Sequence, residues 1–316
     1  MSAEALVELA AVSKWYGPVL GLREVSVRLG RGITGLLGPN GAGKSTFLKV
    51  ITGEVRPSRG EARVLGQRVP TIDAFRRIGY APEIEVFFEE LTAREFVTAL
   101  AEASGMSPRD AAKRAEETLT EVGLEKALDR RVSTYSKGMR QRTKLAQALL
   151  HDPEVVLLDE PMTGLDPLAR AHMVELIQKL GARGKAVVVS SHILDEVEVM
   201  TREIVVLYKG QLLAQGDVHT IRGLIDRHPH HVALRCSDPR KLGAALAAHP
   251  SVAAIRFPAP EAVEVETRDP DACYGAIPRL AVEQGVRVFS LTSPDDNLAS
   301  VFRYLTTDPR GLGSPP

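Results

Sequence analysis

The string Gly38-Pro39-Asn40-Gly41-Ala42-Gly43-Lys44-Ser45-Thr46 constrains this chain more than any other stretch. It fits the pattern G-x-x-x-x-G-K-[ST], with Gly38, Gly43, Lys44 and Ser45 at the fixed positions. The residues before it, GITGLLG, read as a short buried strand, and those after it, TFLKVIT, as the start of a helix. A glycine turn between strand and helix aims successive backbone N–H groups inward. The helix N-terminus adds partial positive charge, so the whole forms a cradle for phosphate. In this arrangement Lys44 reaches the β- and γ-phosphates of a nucleotide, and the Ser45 hydroxyl holds Mg²⁺.

Composition narrows the classes that remain. At 316 residues the chain has room for two domains. Lys plus Arg and Asp plus Glu balance at 40 each, without the basic excess of a chain that lives by nucleic-acid binding. Cys236 and Cys273 are too few for a disulfide framework and read as small apolar fillers. The start, MSAEALVELAAVSKWYG, lacks the basic region of a signal peptide. No stretch approaches the ~18 apolar residues of a membrane-spanning helix. Action at a membrane therefore requires a partner.

Along the chain, residues 1–220 alternate apolar runs with helical patterns, as a doubly layered α/β domain does. LREVSVRL reads as a strand, and VVLL from Val155 and AVVVSS from Ala186 as strands buried on both faces of a parallel sheet. Between the last two, Leu168, Met173, Leu176, Ile177 and Leu180 recur at helical spacing. Residues 84–150 hold a helical insert, with helix formers dominating from Leu91 to Glu121. Residues 221–230 read as a linker, 231–306 as a second α+β domain and 307–316 as a disordered tail. The order β-α-β-β-α-β in the second domain is that of a ferredoxin-like module. Pro278 inside its second helix counts against this, and a loose helical tail is the alternative.

VVLLDE ends in Asp159 and Glu160, an acid pair at a strand tip. There Asp159 is placed to hold Mg²⁺ beside Ser45, and Glu160 to polarise an attacking water. Upstream stands YSKGMRQR, from Tyr135 to Arg142; downstream stand GLDP and the SSH that ends at His192. With these strings in this order, the first two-thirds of the chain resembles the ATP-binding subunit of an ABC transporter. The resemblance implies a P-loop ATPase fold with a helical subdomain, ATP and Mg²⁺ as ligands, and a head-to-tail dimer around two ATP molecules. It makes Tyr16 the aromatic that stacks on adenine, with Trp15 as rival. It assigns Ser136 and Gly138 to the γ-phosphate of the ATP held by the opposite subunit, through a helix starting near Met139. Asp166 matches the loop that communicates across the dimer, and His192 the switch histidine.

Two positions depart from the family's common form. Glu83 stands where many relatives have glutamine; a carboxylate there still offers oxygen to Mg²⁺ or to the attacking water. Lys137 and Met139 replace glycine and glutamine in the signature. Lys137 either adds charge at the γ-phosphate or is a solvated surface lysine. These variants resemble the exporter branch whose ATPase and permease are separate chains, an integral membrane permease being the partner. The ATPase then sits on the cytoplasmic face of the membrane, as a homodimer or paired with a homologue. The rivals are a non-transport ATPase of the same family acting on ribosomes or DNA, and an ATP-sensing regulatory module. The cations Arg130, Arg131, Lys137, Arg140, Arg142 and Lys144 read as the signature helix and its surroundings rather than a nucleic-acid patch. The histidines of RHPHH, His228, His230 and His231, read as solvated linker rather than metal ligands.

Overall fold

The computed structural model describes residues 5–218 and 230–293. Contacts between Cα atoms divide the chain into two compact units, Met1–Asp217 and Val218–Pro316. Most of the 221–230 stretch, His228, the terminal NLASVFRYL segment and residues 307–316 lie outside the described residues.

In the first unit, a four-stranded antiparallel sheet runs in the order β2 (Val19–Leu29), β1 (Val7–Tyr16), β4 (Arg59–Val64), β5 (Gln67–Arg68). The six-stranded sheet runs β10 (Gln211–Asp217), β9 (Glu203–Tyr208), β3 (Gly32–Leu37), β8 (Ala186–Ser191), β7 (Val155–Leu158), β6 (Ile78–Ala81). Its strands pair in parallel except β10, which returns antiparallel on β9. The strands β7 and β8 are buried at every residue, as their unbroken apolar runs require. Helix α1 (Lys44–Ile51) contributes Phe47, Leu48, Val50 and Ile51 to one apolar cluster shared with side chains of both sheets.

Strand β1 does not show in the sequence as a strand, and there is a physical reason. Val7, Leu9 and Val12 are buried, but the register against β2 slips between Leu9 and Val12, where Ala11 adopts φ +47°. This bulge breaks the alternation that marks a strand.

The helical region contains α3 (Ala93–Ala103), α4 (Pro108–Glu121), a 3₁₀ turn (Val132–Thr134) and α5 (Lys137–Leu149). Thr92 and Glu95 form a reciprocal capping box on α3, and Ser107 caps α4. A short α2 (Ile72–Phe75) precedes β6. Helix α6 (Pro167–Ala182) crosses from β7 to β8, and α7 (Leu194–Glu198) follows β8. On α6, Met173, Leu176, Ile177 and Leu180 are buried as the spacing predicts, but Leu168 is 81% exposed. Leu168 sits in the first turn beside Pro167, before the buried stripe begins.

The second unit follows the order β11 (His230–Cys236), α8 (Pro239–Ala247), β12 (Val252–Ala259), β13 (Ala262–Thr267), α9 (Pro270–Glu283), β14 (Val288–Thr292). Its sheet runs β12-β13-β11-β14, antiparallel throughout. Val232, Leu234, Val263 and Val265 face Leu242, Leu246 and Ile277 in a separate core. Cys236 and Cys273 are buried in that core, and burial raises both thiols above their ordinary pKa. Helix α9 continues through Pro278, which lies on the exposed face. Pro278 has no N–H to donate to the preceding turn, and its exposed position leaves that side of the helix open to solvent.

Strand β6 packs directly on α5, and Gly79 makes this possible: a Cβ there would run into the carbonyl oxygen of Ala148. Backbone cannot rotate away as a side chain can. Gly79→Ala is expected to destabilise the protein by about 1–3 kcal/mol, the usual range for overpacking, in urea denaturation. An unchanged midpoint would show that α5 can shift at this point without loss.

Candidate functional site

A cleft of about 570 Å³ opens at the carboxyl ends of the parallel strands and is lined by Pro39–Thr46 together with Tyr16, Glu83, Glu160 and His192. Register explains the convergence. Leu37 pairs with Ser191, so β3 and β8 end together, and Leu158 pairs with Val189, so Asp159 and Glu160 leave β7 beside the last residues of β8. The residues that follow each strand therefore meet. Gly41 and Gly43 adopt φ +79° and +104°, the left-handed turn that a cradle of inward N–H groups needs. Gly43 caps α1, so that the helix starts at Lys44.

Lys44 is only 7% exposed. Its ammonium donates to the carbonyls of Gly38 at 2.7 Å and Pro39 at 3.4 Å, and lies 3.3 Å from Glu160 Oε1. The other Glu160 oxygen, Oε2, lies 3.0 Å from His192 Nδ1. A carboxylate only accepts, so Nδ1 carries a proton and donates it to Glu160. The Glu160 carboxylate is thus oriented by a cation on one side and an imidazole on the other.

The acid pair is held by a residue that the motifs do not single out. Ser190 is fully buried; its hydroxyl donates to Asp159 Oδ1 at 2.6 Å and accepts from the Glu160 N–H at 2.9 Å. Glu160 sits at φ +48°, a left-handed conformation that costs a non-glycine residue about 1–3 kcal/mol. The hydrogen bond to Ser190 helps hold it there. Asp159 is itself 3% exposed and does not line the cleft; Tyr80 supplies its second hydroxyl partner. Burial, and then Asp159, push the Tyr80 hydroxyl well above its ordinary pKa, so it remains a donor. Next along, Ser191 donates to Glu196 Oε2 at 2.8 Å and accepts from the Ile193 N–H, which fixes the turn bearing His192.

The other motif residues sit elsewhere. Tyr16 lines the cleft, whereas Trp15 does not and lies under the Arg59 guanidinium at 5.7 Å. Ser136 caps α5, accepting from the Met139 N–H at 3.3 Å, so this helix begins at Lys137 rather than near Met139. Gly138 is buried in its first turn. Asp166 caps α6, accepting from the Ala169 N–H at 2.9 Å. Ser136, Gly138 and Asp166 do not line the cleft of their own chain.

The basic cluster is occupied within the chain. Lys137 pairs with Glu85, Arg140 with Glu89 and Arg131 with Glu90. Arg130, Arg142 and Lys144 donate to backbone carbonyls. Lys144 is 3% exposed and its ammonium meets the Glu83 carbonyl at 3.0 Å.

Two outcomes follow from these contacts. Ser190→Ala removes the donor to Asp159 and the acceptor of the Glu160 N–H. We expect about 1–3 kcal/mol less stability and a fall in turnover larger than the change in KM for ATP. Wild-type turnover in the variant would show that Glu160 keeps its place unaided. The second outcome concerns pH. Burial pulls the pKa of Lys144 from 10.5 to about 8, while Glu85 acts in the opposite sense. Between these values the unfolded chain holds the proton that the folded chain has released, so this group makes stability rise with pH. Lys144→Met should therefore be more stable than wild type at pH 7, and the gap should shrink from about pH 8 to 10.5 in denaturant titrations. A constant gap would mean that Lys144 keeps its ordinary pKa.

Comparison with known proteins agrees with this geometry. Residues 22–163 match the ABC transporter family. An uncharacterized ABC transporter ATP-binding protein of Synechocystis is 39% identical over 252 residues, covering 77% of this chain and 71% of that one. The Nod factor export ATP-binding protein I of Rhizobium meliloti (strain 1021) is 38% identical over 249 residues, covering 77% and 73%. A solved dimeric ATP-binding cassette in a post-hydrolysis state, bound to ADP and Pi, superposes with a TM-score of 0.61. It is 27% identical, and the match covers 67% of this chain and 98% of that one. Phosphate cradle, oriented glutamate and kinship together place the chain in the ABC transporter family, as its ATP-binding and ATP-hydrolysing subunit.

Proposed function

We propose that two copies of this chain, or this chain and a homologue, close head to tail around two ATP molecules and drive export through an integral membrane permease. The observation that carries this reading is the split site. Glu160, Lys44 and His192 line one chain's cleft, while Ser136, Gly138 and Asp166 lie at helix N-termini away from it. A helix N-terminus attracts anions, so a γ-phosphate presented by a second chain complements α5. The solved dimeric cassette supports the arrangement, and the name of the Rhizobium relative supports the outward direction.

In this reading Tyr16 stacks on adenine, and the N–H groups of residues 38–46 wrap the phosphates. Lys44 exchanges its loop carbonyls for phosphate oxygens. Glu160 accepts the proton of the attacking water, and His192 holds Glu160 and the γ-phosphate in line. The oxygen donors Ser45 and Glu83 at the cleft, with Asp159 behind them, are a set suited to Mg²⁺. The Asp159 carboxylate is buried and hydrogen-bonded to neutral hydroxyls, an environment that a cation would relieve. When bound, Mg²⁺ neutralises charge on the β- and γ-phosphates. With no helix among the described residues long and apolar enough to cross a membrane, this reading places the ATPase on the cytoplasmic face of the permease.

The second unit, on its β-α-β-β-α-β order, belongs in our reading to the ferredoxin-like class and adds contact area to the dimer or regulates it.

Glu160→Gln keeps the shape of the side chain and loses its basicity. Hydrolysis should fall by about 10²–10⁴-fold, with ATP binding retained and an ATP-dependent dimer on gel filtration. A variant that turns over ATP at the wild-type rate would remove Glu160 from the role of base. A variant that binds ATP and stays monomeric would count against the two-ATP dimer.

A further inference from the structure

The loop that leaves β6 carries Glu83 into the cleft and then runs as Glu85, Phe87 and Glu89 past α5. Helix α5 meets it with Lys137, Arg140 and Lys144, which lie on one helical face by their i, i+3, i+7 spacing. Each grips a different point. Lys137 Nζ is 2.8 Å from Glu85 Oε1. The two terminal Arg140 nitrogens, Nη1 and Nη2, donate to the Glu89 carboxylate at 2.7 Å each, and the same guanidinium lies 5.7 Å from the Phe87 ring centre. Lys144 Nζ donates to the carbonyl of Glu83 itself at 3.0 Å.

These contacts differ in weight. Lys137 and Glu85 are partly exposed, and such pairs contribute little on their own. The Arg140–Glu89 pair is bidentate, which adds geometric specificity. Lys144 is buried, and a buried ammonium is retained at a cost in stability. A methionine of similar length would fill the same space without that cost. The helix that carries these grips is also capped at its N-terminus by Ser136. One rigid element therefore holds Glu83 at its own chain's ATP and presents its N-terminus to the other.

We propose that Lys144, assisted by Lys137 and Arg140, is a positioning residue for hydrolysis that makes the Glu83 loop and the N-terminus of α5 move as one body. The proposal rests on the two-ATP dimer above and adds to it a physical link between the two ATP molecules. Contact of α5 with one γ-phosphate then sets the place of Glu83 at the other. Glu83 touches the cleft; Lys144 acts only through it.

The test uses the full-length protein and steady-state ATP hydrolysis by Lys144→Met, Glu83→Ala and the double variant. Lys144→Met should lower kcat about tenfold with KM for ATP within about twofold, and lower the Hill coefficient for ATP toward one. The double variant should be no slower than Glu83→Ala, because Lys144 has then lost the group it positions. Additive losses, or an unchanged kcat and Hill coefficient in Lys144→Met, would overturn the proposal. Gel filtration with ATP separates this failure from that of the dimer itself. Glu160→Gln and Glu160→Gln/Lys144→Met should both dimerise. Monomers in both would overturn the two-ATP reading, and a monomer in the second alone would make Lys144 an assembly residue, not a positioning one.

Discussion

The parallel pairing of β3, β8 and β7 is the constraint on which the site depends. Their ladder brings Leu37 level with Ser191 and Leu158 level with Val189. Phosphate loop, acid pair and histidine each follow one of these strands. A slip of one residue would turn every side chain of the slipped strand to the opposite face and aim Asp159 away from Ser190. Continuous burial of β7 and β8 helps set the register, because helices cover both faces of such a sheet and tolerate no polar residue displaced inward.

Once the strand ends are aligned, the site is organised by mutual satisfaction of buried polar groups. Lys44 and Glu160 are each 7% exposed and balance each other. Asp159 is served by Ser190 and Tyr80, and Glu160 by Lys44 and His192. Removing any one member leaves another buried group short of a partner, a penalty that exceeds the worth of the bond itself. This is why the groups at the end of the sheet behave as a unit. The strained backbone of Glu160 is held by that unit and not by its own preference.

Helix α5 has a different task. Its N-terminus, capped by Ser136, and its flank, gripping the Glu83 loop, are parts of one rod. A rod transmits displacement without needing a chain of separate contacts. The helical region can in this way relay the state of one nucleotide to another, while the parallel sheet keeps each nucleotide's own chemistry fixed.

The sequence by itself determined the chemistry. Residues 38–46, Asp159 and Glu160 are recognisable because a phosphate cradle and a strand-tip acid are local patterns of a few residues, and His192 through the family resemblance that these patterns carry. The buried strands β7 and β8 and the stripe of α6 were equally legible, since burial on a strand or helix leaves a short period in the chain. Tertiary structure decided what distance in sequence conceals. Ser190 meets Asp159 across 31 residues, and Lys144 meets Glu83 across 61, so no spacing rule reports either contact. It chose Tyr16 over Trp15 for the cleft, because neighbours on a strand face opposite sides. It hid β1 behind a bulge and left Leu168 in solvent, where the sequence pattern predicted burial. Local periodicity records which face a residue shows; only the packed chain records what stands opposite that face.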